Sequence, residues 1–538
     1  MKIYNKIILA LILGFIPFSA CDTDELTDMN VNPNASSEID WRFNMALAQL
    51  ESCENRYVNW RANIIYSANL IQHLGGTGYS AGYTQTDFPS HSAAYFDTYY
   101  ERSLKEAGEV LRNTGPDGVN PEMTNTYNVT RIVYIIAIHR MVDLYGNVPY
   151  FEASRGIEGI FNPHYDDVQA IYTQEGIDDG GVRGGMLWEL NQAATALATP
   201  GTDDLSTNDM IYNGDLTKWR KVAYSLMLRL AMRIQEVDKA TSDKYIGIAV
   251  GSGLLIDNAD DNAWCPMATG PDVWLNQNGY SRAMQPSDGG HNNVLGKPLV
   301  DFLKGVDPAD AADDDPRLLM ISGGIGTWEE MEAETSDLDP LNQEGIPNGL
   351  DQERLNDYLG LPPDTPTDYM TIFSKTNPKL LDWDEPYVIM TAGEVELLLA
   401  ECALRGIAGV TDAQTHFENG VREDIRRYEL HDAGWVVDGA TIDAYIATLG
   451  AVDVEKVGDQ YYIATFMNHY EAWANWRRTG YPTIVDKQDP PLPSSLTNGE
   501  IFRRLKYPTS EPAVNPNYAE GAMAPNDFMN RLWWDVGN

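Results

Sequence analysis

The sequence predicts a mostly α-helical body with long loops and a few short strands. Three observations carry that prediction. Apolar residues recur at three- and four-residue spacing over several long segments, the period of a helix face. Alternating apolar and polar runs of strand type are few. Stop signals follow the periodic segments, Gly146-Asn147 with Pro149 after one and Gly406 after another.

In chain order, residues 22–40 are polar and acidic, contain Asn32-Pro33-Asn34, and read as a tether. The pattern is helical from Trp41 to about Leu74. Thr77 to Tyr100 turns rich in Gly, Ser, Thr and Tyr around Phe88-Pro89, and helix resumes near Tyr99. Arg131 to Tyr145 is apolar on several sides, as a helix buried all round should be. His139 on that helix reads as a core histidine with a hydrogen-bond partner. Gly214-Asp215 opens a helix from Thr217 to Glu236 whose Trp219, Ala223, Leu226, Leu230 and Ile234 form one stripe. Residues 251–296 and 305–378 are irregular; loops of that length are functional or disordered. Glu394 to Arg405 is the clearest helix, with Val395, Leu398, Leu399 and Cys402 on its buried face. Helical pattern continues through 412–430, 441–449 and 460–478. Segment 480–538, rich in Pro and aromatics, should wrap the surface in extended pieces and short helices. Ile372–Phe373 and Tyr387–Met390 are the candidate strands. No repeat of about 34 residues is visible, so the pattern alone does not make a helical-repeat array.

The N-terminus reads as a lipoprotein leader. Lys2 and Lys6 are followed by apolar Ile7 to Phe18, shorter than the roughly 20 residues a bilayer span requires. Phe18-Ser19-Ala20-Cys21 then resembles a lipobox, with small residues before the cut and a cysteine to open the mature chain. The expected organisation is a signal peptide at 1–20, a lipidated flexible tether at 21–40, and one body at 41–538. Two acyl chains on Cys21 would anchor it stably to a membrane. No second apolar stretch reaches spanning length.

The formal charge of −41 repels phosphate backbones and anionic lipid alike, so nucleic acid is excluded as a partner and the acyl chains are left as the membrane contact. Of the four cysteines, Cys53, Cys265 and Cys402 remain after Cys21, which allows at most one disulfide among them. Cys402 reads as core. No His-Glu-x-x-His and no Gly-rich phosphate loop with Lys-Ser/Thr occurs, and no cofactor is expected. The acidic clusters Asp178-Asp179, Asp260-Asp261 and Asp313-Asp314-Asp315 lack the spacing of a calcium loop and read as solvated surface, with no metal expected.

Several segments together resemble the SusD/RagB family of Bacteroidetes outer-membrane nutrient-binding lipoproteins, in its second SusD-like branch. They are Asn30-Val31-Asn32-Pro33-Asn34, Asp143 to Tyr150 running into Glu152-Ala153, Gly214-Asp215 with Trp219 and Arg229 to Arg233, Met390 to Glu394 with Leu399-Ala400-Glu401 and Arg405-Gly406, Trp476 to Pro482, and Arg503-Arg504-Leu505 with Tyr507-Pro508 and Asn515-Pro516. They run in order over nearly the whole mature chain. The resemblance implies tetratricopeptide-like helix pairs along one side of a single large body, with loop-rich elaborations carrying the ligand site. It implies a TonB-dependent transporter of the SusC type as partner, and an outer-face address carried by Asp22, Asp24 and Glu25. The family has no fixed ligand-contact motif, and Arg477-Arg478-Thr479-Gly480 reads as a structural turn.

A sugar presents apolar C–H faces and hydroxyl rims, so a surface that binds it pairs flat aromatics with polar donors and acceptors. Two stretches offer that mixture. One holds Tyr79, Tyr83, Phe88, Tyr95 and Phe96 with Gln85, Asp87 and His91; the other holds Trp264, Trp274 and Tyr280 with Asn276, Gln277, Asn278 and Arg282. The expected ligand-binding residues are Tyr79, Tyr83, Phe88, Trp264, Trp274 and Tyr280. The alternative for each is an aromatic that pins a loop to the core. The reading is a non-enzymatic surface lipoprotein that captures glycan or peptide fragments for a SusC-like transporter. A surface-tethered glycoside hydrolase and a helical scaffold that binds only proteins are the alternatives.

Overall fold

The computed structural model describes residues 40–76, 80–176, 184–271, 274–286 and 293–536. Cys21, the tether and Tyr79 lie outside the described residues. The body from Trp41 onward is built on helices α1 (Trp41–Ser52), the π-type α2 (Asn59–Ala68), α3 (Ser103–Thr114), α4 (Thr124–Tyr145), α5 (Met186–Ala196), α6 (Leu216–Arg233), α7 (Lys239–Gly251), the short α8 (Gly279–Met284), α9 (Ala392–Arg405), α10 (Ala413–Arg426), α11 (Gly439–Leu449), α12 (Val454–Ala464) and α13 (His469–Thr479). Sequence neighbours pack as pairs: α3 on α4, α5 on α6, α9 on α10 and α12 on α13. This is the tetratricopeptide-like arrangement. Four short strands, β1 (Leu74–Gly75), β2 (Ala263–Cys265), β3 (Val294–Leu295) and β4 (Tyr387–Met390), form two antiparallel ribbons, β1 with β3 and β2 with β4.

The periodic segments become helices for the reasons their patterns give. Every residue of α4 from Asn125 to Tyr145 is buried, as its all-round apolar character requires. His139 Nδ1 donates to Ile135 O, 2.9 Å away, inside that helix. Helix α6 starts where Asp215 caps the Thr217 and Lys218 amides, and α9 ends where Gly406 turns left-handed at φ 65°. Two of the segments that carry the family resemblance meet a third, on α9, through ion pairs between helices. Arg229 of α6 holds Glu394 of α9 at 2.5 and 2.7 Å, and Arg478 of α13 holds Glu401 of α9 at 2.7 and 2.6 Å. Arg477 donates to the carbonyls of Asp143 and Arg503 at 2.8 and 2.7 Å, and Gly480 follows at φ 76°. These charges are buried and matched in geometry, so removing one partner would strand the other without solvent.

The structure departs from the sequence expectations at several points. Segment 460–478 is two helices, broken between Ala464 and His469. Asp261 is buried and accepts from Lys221. The helix expected from Trp41 to Leu74 breaks at Cys53-Glu54, where Glu54 takes φ 60° and the chain turns a corner. Ile372–Phe373 is a turn, with Phe373 buried in a small second core beside Tyr83, Val294, Ile346 and Leu355. Asp315 is not solvated surface: it is 1% exposed and accepts from Arg317 and from the Tyr445 hydroxyl, 2.6 Å away.

Candidate functional site

The corner at Cys53-Glu54 sets up the site. Glu54 is buried beneath it, accepting from Arg140 at 3.1 Å, Tyr387 at 3.2 Å and Tyr470 at 3.2 Å. Burial pushes its carboxyl up to about 7, against the pull of Arg140. Asn55 then caps the turn Arg56–Val58 by accepting from Val58 N, and Asn59 donates to Glu54 O at 3.0 Å. This turn and α2 place Arg56, Tyr57, Trp60 and Arg61 along one face at helical spacing. The Arg61 guanidinium lies 3.6 Å from the Tyr57 ring centre and 4.7 Å from that of Trp60.

Helix α8 is the second support. Asn278 caps it by accepting from the Tyr280 and Ser281 amides, and donates to Glu385 O at 2.9 Å. Gly279 lets α8 approach the corner: a Cβ there would sit 2.4 Å from Asn55 C and from Glu54 O. The close approach brings Trp274 and Arg282 to α2. The Arg56 guanidinium is 5.4 Å from the Trp60 ring and 5.8 Å from the Trp274 ring. Arg282 sits 5.6 Å from Trp274 and 5.2 Å from Trp383. On the other side Trp60 meets His91 edge-on at 5.6 Å, and His91 meets Phe88 at 5.4 Å. Burial, with Arg61 nearby, holds the His91 imidazole down to about 4, so it is neutral at pH 7.

The result is a continuous band running Phe88, His91, Trp60, Arg56, Trp274, Arg282, Trp383. Trp274 is 52% exposed and Tyr57 39% exposed, so flat ring surface faces solvent beside guanidinium donors. Rings supply apolar area at low entropy cost, and guanidinium N–H groups bond hydroxyl or carbonyl oxygens. A cleft of about 370 Å³ lies against α8, lined by residues other than those of the band. Its wall shares α8, through Met284, and is completed by Asn293, Trp328, Lys375 and Leu381.

The two stretches singled out in the sequence thus meet, but through only some of their residues. Phe88, His91, Trp274 and Arg282 are in the band. Tyr83 is 1% exposed, donating to Pro347 O at 2.7 Å and accepting from Leu350 N at 2.9 Å, so it pins a loop. Tyr280 is 2% exposed, and its hydroxyl meets His469 Nε2 at 3.1 Å. As placed, neither offers a ligand any surface. Trp264 is half-buried on β2, opposite Val388, outside the run of ring contacts above. Gln85 and Asp87 are engaged by the C-terminal segment, Gln85 donating to Gly499 O and Asp87 accepting from Lys506. Arg56, Tyr57, Trp60, Arg61 and Trp383 were not singled out. The signal for four of them was an Arg-aromatic ladder, Arg56 with Trp60 and Tyr57 with Arg61, each four residues apart in a helix.

One motif bears on the hydrolase alternative. Gly78-Tyr79-Ser80-Ala81-Gly82 has the spacing of a nucleophile elbow, which needs an exposed serine at a strand-to-helix turn beside a histidine. Here Ser80 is 1% exposed and donates to Asn293 Oδ1 at 3.3 Å. Among the described residues, no cluster of three or more His, Cys, Asp or Glu side chains could hold a metal ion.

A family model described as "Starch-binding associating with outer membrane", SusD-like, matches residues 33–508. The chain belongs to the SusD-like family. A solved structure described as a chitin-binding protein is 29% identical, with a TM-score of 0.73 over 93% of this chain and 100% of that one. A SusD homologue from Parabacteroides distasonis is 20% identical, with a TM-score of 0.75 over 93% and 99% of the two chains. A chitin-binding SusD homologue from Flavobacterium johnsoniae is 20% identical, with a TM-score of 0.69 over 92% and 98%. No curated protein sequence matches the chain. The SusD-like fold therefore spans the whole described body, and the family is one associated with the outer membrane. No helix among the described residues is long and apolar enough to cross a membrane.

Proposed function

We propose that this SusD-like chain is a cell-surface lipoprotein, tethered by lipid on Cys21, that captures glycan on the aromatic-arginine band and passes it to a TonB-dependent transporter of the SusC type. The observation that carries the binding part is the unbroken run of rings and guanidiniums with Trp274 half in solvent. Rings and guanidiniums interleaved beside exposed ring area suit a sugar, because each pyranose ring needs one apolar platform and several polar partners. The lipobox and the acidic residues after Cys21 support the anchoring, and family membership supports the outer-membrane setting.

The relative described as chitin-binding, at 29% identity, makes β-linked N-acetylglucosamine oligomers the first ligand to try. Their acetamide carbonyl accepts from Arg56 or Arg282, and their flat C–H face covers Trp274. Among the described residues the band's own members are rings, guanidiniums and an imidazole, a set that suits capture and not the two-carboxylate chemistry of glycoside hydrolysis. The experiment is a glycan and peptide array probed with the soluble body, residues 41–538, followed by incubation of the best ligand with the pure protein. Retention of one glycan class without new reducing ends is expected. Turnover of that glycan, or retention of peptides alone, would replace this reading.

A further inference from the structure

The cleft against α8 is not used by the function above. Two short segments pair to make one of its walls: Gly323 N donates to Lys375 O at 2.9 Å, and Lys375 N donates to Gly324 O at 3.2 Å. Lys375 is 9% exposed, and its ammonium donates across that wall to Gly326 O at 2.5 Å. One acceptor leaves the ammonium two further N–H groups. Thr376, beside it, is buried, and its hydroxyl oxygen has no hydrogen-bond partner. Thr327 caps the turn that carries the half-buried Trp328. Met284, Met331, Met370 and Leu381 make much of the remaining lining apolar. Asp368 and Glu329 also line the cleft, are exposed, and pull electrostatically on Lys375. The cleft meets the supports of the band twice. Met284 is two residues after Arg282 on α8, and Leu381 is two residues before Trp383. Gln285 Nε2 ties these two segments together by donating to Leu381 O at 2.6 Å.

We propose that this cleft is a subsite for the 2-acetamido group of one sugar residue, in a glycan whose neighbouring residue lies on the band. That glycan is bound at all rests on the reading above; the acetamide is what the cleft adds. An acetamide has a carbonyl oxygen that accepts, an N–H that donates and a methyl that avoids water. Lys375, with the Thr376 hydroxyl beside it, supplies donors for the carbonyl oxygen. The carboxylates of Asp368 and Glu329 can accept from the N–H, and the thioether and aliphatic side chains cover the methyl. Other substituents fit less well. A hydroxyl leaves the apolar lining uncovered, an ammonium meets the like charge of Lys375, and a carboxylate meets those of Asp368 and Glu329. At about 370 Å³ the cleft is at the small end of ligand sites, with room for one sugar residue and not for a folded chain.

The test is calorimetric titration of the purified protein with β-linked tetramers of N-acetylglucosamine, glucosamine and glucose. The N-acetylated tetramer should bind about tenfold more tightly than either counterpart, the effect of one added hydrogen bond to a charged group and one covered methyl. Lys375→Met should lower affinity for the N-acetylated tetramer by about tenfold and for the glucose tetramer by less than about twofold. Saturation-transfer NMR on the unaltered protein gives a second readout that needs no variant. There the acetyl methyl protons should receive the most saturation. Equal affinity for the three tetramers, an undiminished preference in a folded Lys375→Met protein, or acetyl methyls less saturated than ring protons overturns the subsite. Capture of other glycans on the array with none of the three tetramers overturns it as well and leaves the band reading standing. Capture of no glycan at all sinks both.

Discussion

At the scale of single residues, exposure separates the aromatics that can bind from those that hold loops. Trp274 and Tyr83 are both aromatics in polar, Gly-rich sequence, and nothing in their local composition tells them apart. The difference is long-range: Tyr83 finds Pro347 and Leu350 across the fold, whereas Trp274 finds Arg56 and Arg282 and keeps half its surface in water. Removing Tyr83's hydroxyl with Tyr83→Phe leaves a buried carbonyl and amide without their partner. It should cost about 1–3 kcal/mol in chemical denaturation and leave glycan affinity unchanged. Arg56→Ala should do the reverse, weakening binding by about 1–2 kcal/mol in titration while the melting temperature stays within about 2 °C.

At the scale of elements, the long helices were legible and the joints between them were not. The all-round apolar run of α4 and the stripe of α6 read directly from the sequence, because both follow from local periodicity. The corner at Glu54 did not, since it depends on Arg140, Tyr387 and Tyr470 arriving from three distant elements to bury one carboxylate. The same holds for the seat of α8. Gly279→Ala would drive a Cβ to 2.4 Å from the backbone of the corner. It should destabilise the fold by about 1–3 kcal/mol and, by pushing Arg282 away, also weaken binding. Buried histidines tie α13 to β1 and α8. His73 Nε2 faces only Tyr462 O, at 3.0 Å, so it carries the proton. His73 Nδ1 then accepts from His469 Nδ1 at 2.9 Å, and His469 Nε2 accepts from the Tyr280 hydroxyl at 3.1 Å. Burial drives His73 down to about 3, and His469 well below its usual value for the same reason, so both stay neutral when folded. The unfolded imidazoles take up protons near pH 6.5, so this stability is full above that pH and is lost as pH falls toward 3. Between pH 5.5 and 4.5, His73→Gln should reduce the slope of unfolding free energy against pH by about 1.4 kcal/mol per unit.

At the scale of the whole molecule, the family resemblance came from segments that build the scaffold, not the site. Arg229, Glu394, Glu401 and Arg478 recur in order along the chain because they lock helix to helix, and those buried pairs are what an ordered set of motifs can reveal. The binding band has no such signature: it is assembled from α2, α8 and the loop at Trp383, and its chemistry is set by side chains that scaffold packing leaves free to vary. This is why the fold was legible from the sequence while, of the band, Phe88, His91, Trp274 and Arg282 were singled out and Arg56, Trp60 and Trp383 were not. A net charge of −41 surrounds that arginine-bearing face, so neutral sugars can approach it without the salt dependence that a basic nucleic-acid surface would show. The most direct test is calorimetric titration of residues 41–538 with N-acetylglucosamine oligomers, comparing the unaltered chain with Trp274→Ala. Loss of about 1–3 kcal/mol of binding, with an unchanged melting temperature, is the predicted result. Equal affinity of the two proteins for a glycan they both bind would contradict the band as the contact surface.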